Sequence, residues 1–512
     1  MRISEEKKQQ KLDKKVKELN SGLTQSVKFK DELEENKNTF LELFKNVGTL
    51  RVRDVVNRNN ESMKFCIMFL DGLVKGDIIN QHVVKPLLEA GDIKNDENFS
   101  SSLINQLVFV NRIQQTDNAE DIIESITYGD TLLLVDGLSC GFILDTKGFT
   151  LRSIAEPEGE NVLNGPKEGF NEGIMMNLSM LYRKLRTNEF KTEFTKVGRR
   201  TKTSVCICYI ESLVDKKVLK EVQRRISLID IDGVLDTNYI SEFIRDKKYS
   251  PYKTVGFTER PDVVAGKLLE GRIAIVMDGT PVVLTAPYLF IENFQSNEDY
   301  YLNFLYTTFA RILRIMGYFL TVLTPAIYIS IIAYQIEILP PALTINIASA
   351  QQNVPLPAAL EAVIMLIIFD LLKETGVRMP SSVGQTLSIV GALVIGQAAV
   401  EAKFVSAPLI IVVAFTGLTN LLTPRLNTSA FMYKYIFLIF AGVLGFFGVI
   451  ICLSMFIIQI INLTSFGVPQ IRLTGGMKLQ QIKDIIIRAP WTSMKTRPEE
   501  LSDNYTRMIR KE

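Results

Sequence analysis

Residues 250–301 read SPYKTVGFTERPDVVAGKLLEGRIAIVMDGTPVVLTAPYLFIENFQSNEDYY and join a charged region to a block of long apolar segments. The pattern predicts a helix after Thr258–Asp262. The apolar run that follows predicts a strand closed by a tight turn at Asp278-Gly279. This stretch therefore ends a mixed α/β region and leads into a region of different physical character.

The distribution of charge divides the chain more clearly than its totals do. The chain has 512 residues and a net charge of +2, and charged side chains are sparse between Arg314 and Phe466. Its length favours two or three domains, and the asymmetry predicts a soluble region followed by a membrane region. The near-neutral balance argues against a nucleic-acid partner. The first residues, MRISEEKKQQKLDKK, have no apolar core, so we expect no signal peptide and a cytoplasmic N-terminal region.

The soluble region contains an internal repeat. FCIMFLDGLV at Phe65–Val74 matches VCICYIESLV at Val205–Val214, and GDTLLLVDG at Gly129–Gly137 matches GRIAIVMDG at Gly271–Gly279. The first pair predicts a strand that leads into a helix, and the second a strand followed by an Asp-Gly turn. Two matched pairs in the same order, with nearly the same offset, favour a duplicated unit.

The predicted architecture is multidomain, with duplicated α/β cytoplasmic lobes followed by an all-α transmembrane domain. The predicted divisions are a charged N-terminal arm (1–40), a first α/β lobe (41–150), a linker with a helix (151–195), a second α/β lobe (196–300), a transmembrane helical domain (301–465) and a basic C-terminal tail (466–512).

We expect no enzyme, cofactor or metal site. Acidic residues follow the predicted strands, but beside glycine they are typical turn formers and helix caps. No nucleophile with a base and no phosphate-binding loop accompanies them, and the chain has one histidine, His82. The basic cluster at Arg199–Thr203 is either an anion ligand or a polar surface or interface.

Five apolar segments follow, and they raise a question of parity: Ile315–Gln335, Ala358–Leu372, Gln385–Val400, Phe404–Leu422 and Tyr435–Ile461. A span needs about 20 apolar residues, and flanking basic residues favour the inside. Five crossings would place the basic tail outside. A break around Gly442–Gly448, a re-entrant short segment or an external tail would each resolve this, so we expect four to six segments.

Polar residues within apolar segments are candidate pore or intramembrane sites. These are Glu361, Asp370, Gln397 and Glu401. Glu361 alternatively caps its own helix, and Glu401 alternatively pairs with Lys403 in a loop. Small residues that permit close helix packing are Gly384, Gly391 and Gly396.

Several long motifs resemble those of the spore germinant receptor A subunit, in the GerA-type spore germination protein family, from about Ser62 to Arg507. The chain departs from the family at Gln351-Gln352-Asn353, where Arg-Glu-Gly is usual. The motifs in the soluble region are GRRTKT, with Arg199, Arg200, Thr201, Lys202 and Thr203; DIDGVLD at Asp230–Asp236; ERPD, with Glu259, Arg260, Pro261 and Asp262; and DGTP, which begins at Asp278 and Gly279. The membrane motif spans Gly384–Val400.

The resemblance implies an integral protein of the spore inner membrane whose N-terminal domain faces the cytoplasm, here the spore core. It implies a homo-oligomer that contacts membrane lipid and forms or gates a nutrient-controlled ion pathway. The implied partners are a transporter-like, nutrient-binding B subunit and a lipoprotein C subunit. A secondary transporter or permease with a cytoplasmic regulatory module is the alternative, which inverted repeats in the membrane half would favour.

Overall fold

The computed structural model describes residues 29–90, 108–148, 157, 159–352, 354–378, 394–471, 484–494, 496–498, 501 and 507. They form two compact units. The first comprises described residues within Met1–Arg245, Val255–Pro287 and Met494–Glu512, and the second those within Asp246–Thr254 and Tyr288–Ser493. The six divisions predicted from the sequence stay a prediction, because the two units do not separate them from one another.

The first unit contains two five-stranded sheets in which every pairing is antiparallel. The strand order is β1-β2-β4-β5-β3 in one sheet and β6-β7-β9-β10-β8 in the other. The strands of the first sheet are β1 (Leu50–Val56), β2 (Lys64–Leu70), β3 (Ile113–Thr116), β4 (Thr131–Val135) and β5 (Gly141–Leu144). Those of the second are β6 (Phe190–Val197), β7 (Thr203–Ile210), β8 (Gly256–Thr258), β9 (Ile273–Met277) and β10 (Val283–Ala286).

The two sheets have the same topology, since adding five to each strand number of the first gives the second. β2 and β7 occupy the same position, as the sequence repeat predicts, so the duplicated α/β unit is confirmed at the level of strand order. The helices of this unit are α1 (Leu33–Leu43), α2 (76–89), α3 (Ala119–Thr127), α4 (Ile174–Lys184), α5 (Lys216–Ser227), α6 (Thr237–Ile244) and α7 (Pro261–Leu268).

Alternation along the strands gives each sheet two apolar faces. Cys66 and Met68 of β2 point into a core that also contains Cys206 of the second lobe. Phe65 and Ile67 point the other way and pack against α2. The two lobes thus bury one face of each sheet in a common core, which explains why the thiols of Cys66 and Cys206 are inaccessible. Burial raises the pKa of the Cys66 thiol to about 12.

The second unit is helical over most of its length. Its helices are α8 (Phe304–Tyr334), α9 (Pro341–Gln351), α10 (Ala358–Arg378), α11 (394–401), α12 (Ala407–Asn420) and α13 (Asn427–Ile461), followed by the short strands β11 (Thr464–Ser465) and β12 (Val468–Pro469). Among the described residues, two helices are long and apolar enough to cross a membrane, Phe304–Tyr334 and Pro424–Ile461. The expected four to six spans are therefore not confirmed.

The last long helix is folded back on itself at Gly445, whose backbone has φ 61° and ψ −142°. The Tyr433 hydroxyl donates a hydrogen bond to Gln459, and the rings of Tyr433 and Phe456 lie 4.8 Å apart. A straight helix would separate Tyr433 from Gln459 by about 39 Å. The break expected around Gly442–Gly448 is thus confirmed, and α13 is a hairpin of two helical arms.

The fold-back returns the chain to the end of the unit where α8 begins. The amide of Tyr288 donates to the Ser465 hydroxyl at 2.9 Å. Arg311, in the third turn of α8, donates to the carbonyl of Asp484 at 3.0 Å. The far end of α8 lies at the break, where the Tyr334 hydroxyl donates to the carbonyl of Gly442 at 2.8 Å. Tail residues near Ser465 and Asp484 therefore lie beside the start of α8.

The Asp-Gly turns hold corresponding helices in the two lobes. The Asp136 carboxylate accepts the Leu33 amide of α1 at 3.2 Å. The Asp278 carboxylate accepts the Ile174 amide of α4 at 3.1 Å. First-turn amides have no partner within their own helix, and a negative charge there is favourable. Gly279, at φ +90°, adopts the left-handed conformation that glycine tolerates best.

We predict that Asp278→Ala weakens the first turn of α4 and leaves α1 unchanged, whereas Asp136→Ala does the reverse. Loss of one such cap costs about 1 kcal/mol, which corresponds to about fivefold faster amide exchange. Hydrogen–deuterium exchange on the full-length protein in detergent measures both helices at once. If either substitution affects both helices equally, each turn does not hold its own helix and the assignment is wrong.

Candidate functional site

Glu361 is buried within the chain rather than exposed along a free face. It is 2% exposed, and its carboxylate accepts the Ser406 amide at 2.5 Å and the Ser406 hydroxyl at 2.8 Å. Ser406 immediately precedes α12. Glu361 therefore anchors the N-terminus of a neighbouring helix, where a carboxylate is favoured. These contacts are not those of a cap on its own helix. The sequence reasoning missed Ser406 because the two residues lie 45 positions apart.

Asp370 forms an ion pair with a buried lysine. Its two carboxylate oxygens lie 2.8 and 2.7 Å from Nζ of Lys434, and the hydroxyl of Tyr435 donates to it at 2.6 Å. Lys434 is 2% exposed. The pair joins α10 to the first arm of α13 and neutralises two charges that would be costly apart in an apolar setting.

Gln397 and Glu401 contrast with these two carboxylates. Both are exposed on α11, one helical turn apart. Neither has a hydrogen-bond or ion-pair partner in the part of the chain that the structure describes, so the expected pairing of Glu401 with Lys403 is not observed. A Cβ added at Gly396 would meet no atom within 4 Å, so no close packing is seen there within one chain. Gly384 and Gly391 lie outside the described residues.

A buried charge cluster that the sequence reasoning missed lies at the start of α8. Arg311 is completely buried and donates to the Asp299 carboxylate at 2.8 Å. Arg314 donates to the same carboxylate at 3.0 Å, and Asp484 of the tail lies 3.1 Å from Arg311. The available sequence signal was the pair of arginines at the start of an apolar helix. The cluster fixes the tail and the 290s segment to α8.

Three of the motifs in the second lobe meet one another. The amides of Arg199 and Arg200 donate to the carbonyls of Ile231 and Asp232 at 2.9 and 2.8 Å. The Thr203 hydroxyl donates to the carbonyl of Val234 at 2.8 Å. The GRRTKT turn thus lies along the DIDGVLD loop.

The DGTP motif joins this group through Asp236. The Asp236 carboxylate accepts the Asn238 amide at 3.1 Å, which caps α6, and the Thr280 hydroxyl at 3.3 Å. At the surface, hydrogen bonding from the Arg199 guanidinium lowers the pKa of the Asp230 carboxyl below its ordinary value. Arg199 therefore already has an anionic partner. Arg200 and Lys202 are exposed.

The ERPD motif holds the segment around Pro166 and Phe170 against the second lobe. Arg260 is completely buried. It donates to Asp262 at 2.8 Å and to the carbonyl of Pro166 at 2.6 Å. The carbonyl of Glu259 accepts the Phe170 amide at 2.7 Å. These contacts give Arg260 a structural role. Among the described residues, no group of three or more His, Cys, Asp or Glu side chains could hold a metal ion.

We predict that Asp370→Asn destabilises the protein by roughly 3–5 kcal/mol, because it leaves the Lys434 ammonium buried without its counter-charge. Asp370→Asn combined with Lys434→Met should recover most of that loss. Thermal unfolding of the purified protein in detergent measures both effects, with Lys373→Met as a control for removal of a nearby charge. A double variant no more stable than the single one would contradict the assignment of a structural ion pair.

Comparison with known proteins gives a consistent family. A model of the Bacillus/Clostridium GerA spore germination protein matches residues 38–500. Spore germination protein KA of Bacillus subtilis (strain 168) is 36% identical over 453 residues, which cover 88% of this chain and 83% of that protein. The uncharacterized membrane protein YfkQ of the same organism is 38% identical over 434 residues and covers 84% of each chain.

One solved structure is also similar, the N-terminal domain of the A subunit of the Bacillus megaterium spore germinant receptor GerK3. It is 34% identical, covers 52% of this chain and 98% of that chain, and has a TM-score of 0.41. The family model spans the soluble and the membrane motifs alike, and the relatives match along most of their own length. The chain therefore belongs to the GerA family of spore germination proteins.

Proposed function

We propose that this chain is the A subunit of a nutrient germinant receptor in the spore inner membrane, with its two lobes facing the spore core. In this proposal several copies form a ring that contains an ion pathway, and a transporter-like B subunit and a lipoprotein C subunit complete the receptor. The observation that carries the proposal is the family match across residues 38–500, which includes both the soluble and the membrane halves.

Gln397 and Glu401 are the residues we assign to the pathway. An unpaired amide or carboxylate facing lipid is costly, because hydrocarbon offers no hydrogen bonds. Both side chains are exposed and unpartnered within the described chain. In a membrane, such a face would be covered by water in a pore or by another copy of the chain. A cyclic arrangement would bring one such helix from each copy to a shared axis, and rings of Glu401 would favour cations.

Glu361 and Asp370 receive a different role in this proposal. The sequence pattern made both of them candidates for the pore lining. Each already has partners within the chain, Ser406 for Glu361 and Lys434 for Asp370. We assign them to the framework that holds α10, α12 and α13 in place behind the lining helix. The free Gly396 position on α11 leaves room for the close approach of a second copy.

The proposal is tested by K⁺ efflux, evoked by a nutrient mixture, from liposomes that contain the protein reconstituted with its B and C partners. Gln397→Leu combined with Glu401→Gln should lower the efflux at least tenfold, because it removes the polar lining and its negative ring. Glu337→Gln, at an exposed site in the turn after α8, is the matched control for loss of one carboxylate and should conduct like the wild type.

Assembly of each variant is followed by cross-linking in the same vesicles. If the double variant assembles normally and conducts like the wild type, α11 does not line the pathway. If the wild-type protein, reconstituted with its B and C partners, carries no K⁺, the proposed ion pathway is wrong as a whole.

A further inference from the structure

A loop that interrupts the second lobe belongs structurally to the helical unit. Asp246–Thr254 lies in the chain between α6 and β8, both elements of the first unit. Its own contacts place it in the second unit. We call it the inserted loop. One residue, Arg245, separates the loop from α6, and one residue, Val255, separates it from β8. A displacement of α6 or β8 therefore also displaces the adjoining end of the loop.

The inserted loop is fastened at both ends to the β11–β12 turn. At one end, the Asp246 carboxylate accepts the Thr464 hydroxyl at 2.7 Å and the Phe466 amide at 3.1 Å. At the other end, the carbonyl of Thr254 accepts the Ser465 hydroxyl at 2.5 Å. Hydrogen bonds to a carboxylate are among the stronger ones. The β11–β12 turn directly follows the second arm of α13, so the loop holds the end of that arm.

Between these fastenings, Tyr252 enters the space where three helical segments meet. It is 2% exposed. Its hydroxyl forms a hydrogen bond of 3.1 Å with the hydroxyl of Tyr318 on α8. Its ring stacks at 5.8 Å on Tyr433 of the first arm and meets Phe456 of the second arm at 6.5 Å. One side chain from the loop therefore contacts α8 and both arms of α13.

The neighbouring contacts complete this cluster. Tyr318 also donates to the Ser429 hydroxyl at 3.2 Å, and Phe456 packs against the Phe437 ring at 6.0 Å. Aromatic pairs of this kind contribute beyond their buried area, and a buried tyrosine hydroxyl needs a partner. If Tyr252 left this site, a cavity would remain at the base of the hairpin, and the hydroxyl of Tyr318 would lose one of its hydrogen bonds.

We propose that the inserted loop is the element through which the second lobe controls the membrane helices: it sets the spacing of α8 and the two arms of α13, and its displacement changes that spacing. This inference rests on the proposed function, because it gives the regulation of the same ion pathway. Tyr252 is a positioning residue in this account. Asp246 holds the loop on the β11–β12 turn, and the displacement of the loop requires that these contacts open.

The inference is tested by locking the loop. Asp246→Cys with Thr464→Cys replaces two side chains that share a hydrogen bond of 2.7 Å, and non-reducing gel electrophoresis establishes that the disulfide has closed. In the full receptor in K⁺-loaded liposomes, oxidation should lower efflux evoked by a nutrient mixture at least tenfold, and dithiothreitol should restore it. The two single-cysteine variants control for lost hydrogen bonds and for native thiols. Efflux that is unchanged when the disulfide is closed overturns the proposal.

A second measurement does not depend on ion flux. Spin labels at Met432 and Ile458, both exposed on the arms of α13, report the arm spacing in detergent. Tyr252→Ala should broaden or shift that distance. Tyr249→Ala, at a site 99% exposed in the same loop, should not. An unchanged distance in Tyr252→Ala overturns the positioning role. If the unmodified receptor shows no efflux, the proposed function fails, and this distance alone decides whether the loop sets the helix spacing.

Discussion

The reversal of the chain at Gly445 is the constraint on which the second unit depends. A residue with a side chain would be strained at φ 61°, and its Cβ would lie 2.8 Å from the Tyr334 ring. Because the chain turns there, the two arms of α13 lie side by side and share the aromatic cluster around Phe456. The tail returns to the start of α8, where Asp484 meets the buried Arg311. A continuous helix would lose all of these contacts together.

The polar groups of the helical unit fall into two classes with different consequences. Glu361, Asp370 and Lys434 are paired inside one chain, and each links two helices. Such pairs specify which helices meet, and breaking one partner costs more than replacing both. Gln397 and Glu401 have no described partner, so the single chain leaves them to water or to another copy. The presence or absence of a partner within the chain, more than the presence of charge, therefore separates the residues that hold the helices together from the candidate pore-lining residues.

Much of this organisation could be predicted from the sequence, for physical reasons. The repeats pair matched apolar runs with Asp-Gly turns, so the duplication and the equivalence of β2 and β7 were accessible. The glycines near position 445 marked a break. The pairing of Asp370 with Lys434 was not accessible, because residues far apart in sequence meet through helix packing. The attachment of α1 and α4 was not accessible either. These helices begin within the predicted arm and the predicted linker, and each is held by an Asp-Gly turn more than 100 residues away in the sequence.

The side of the membrane on which the tail lies tests the fold-back most directly. Leu163→Cys, in the soluble region, and Thr492→Cys, in the tail, are both at exposed sites. A membrane-impermeant thiol reagent is applied to sealed vesicles of known orientation, with the wild-type cysteines as background. The hairpin predicts that both positions are labelled from the same side of the membrane, and that neither reacts from the opposite side until the membrane is opened. Labelling of Thr492→Cys from the opposite side to Leu163→Cys would contradict the hairpin and restore a single continuous span.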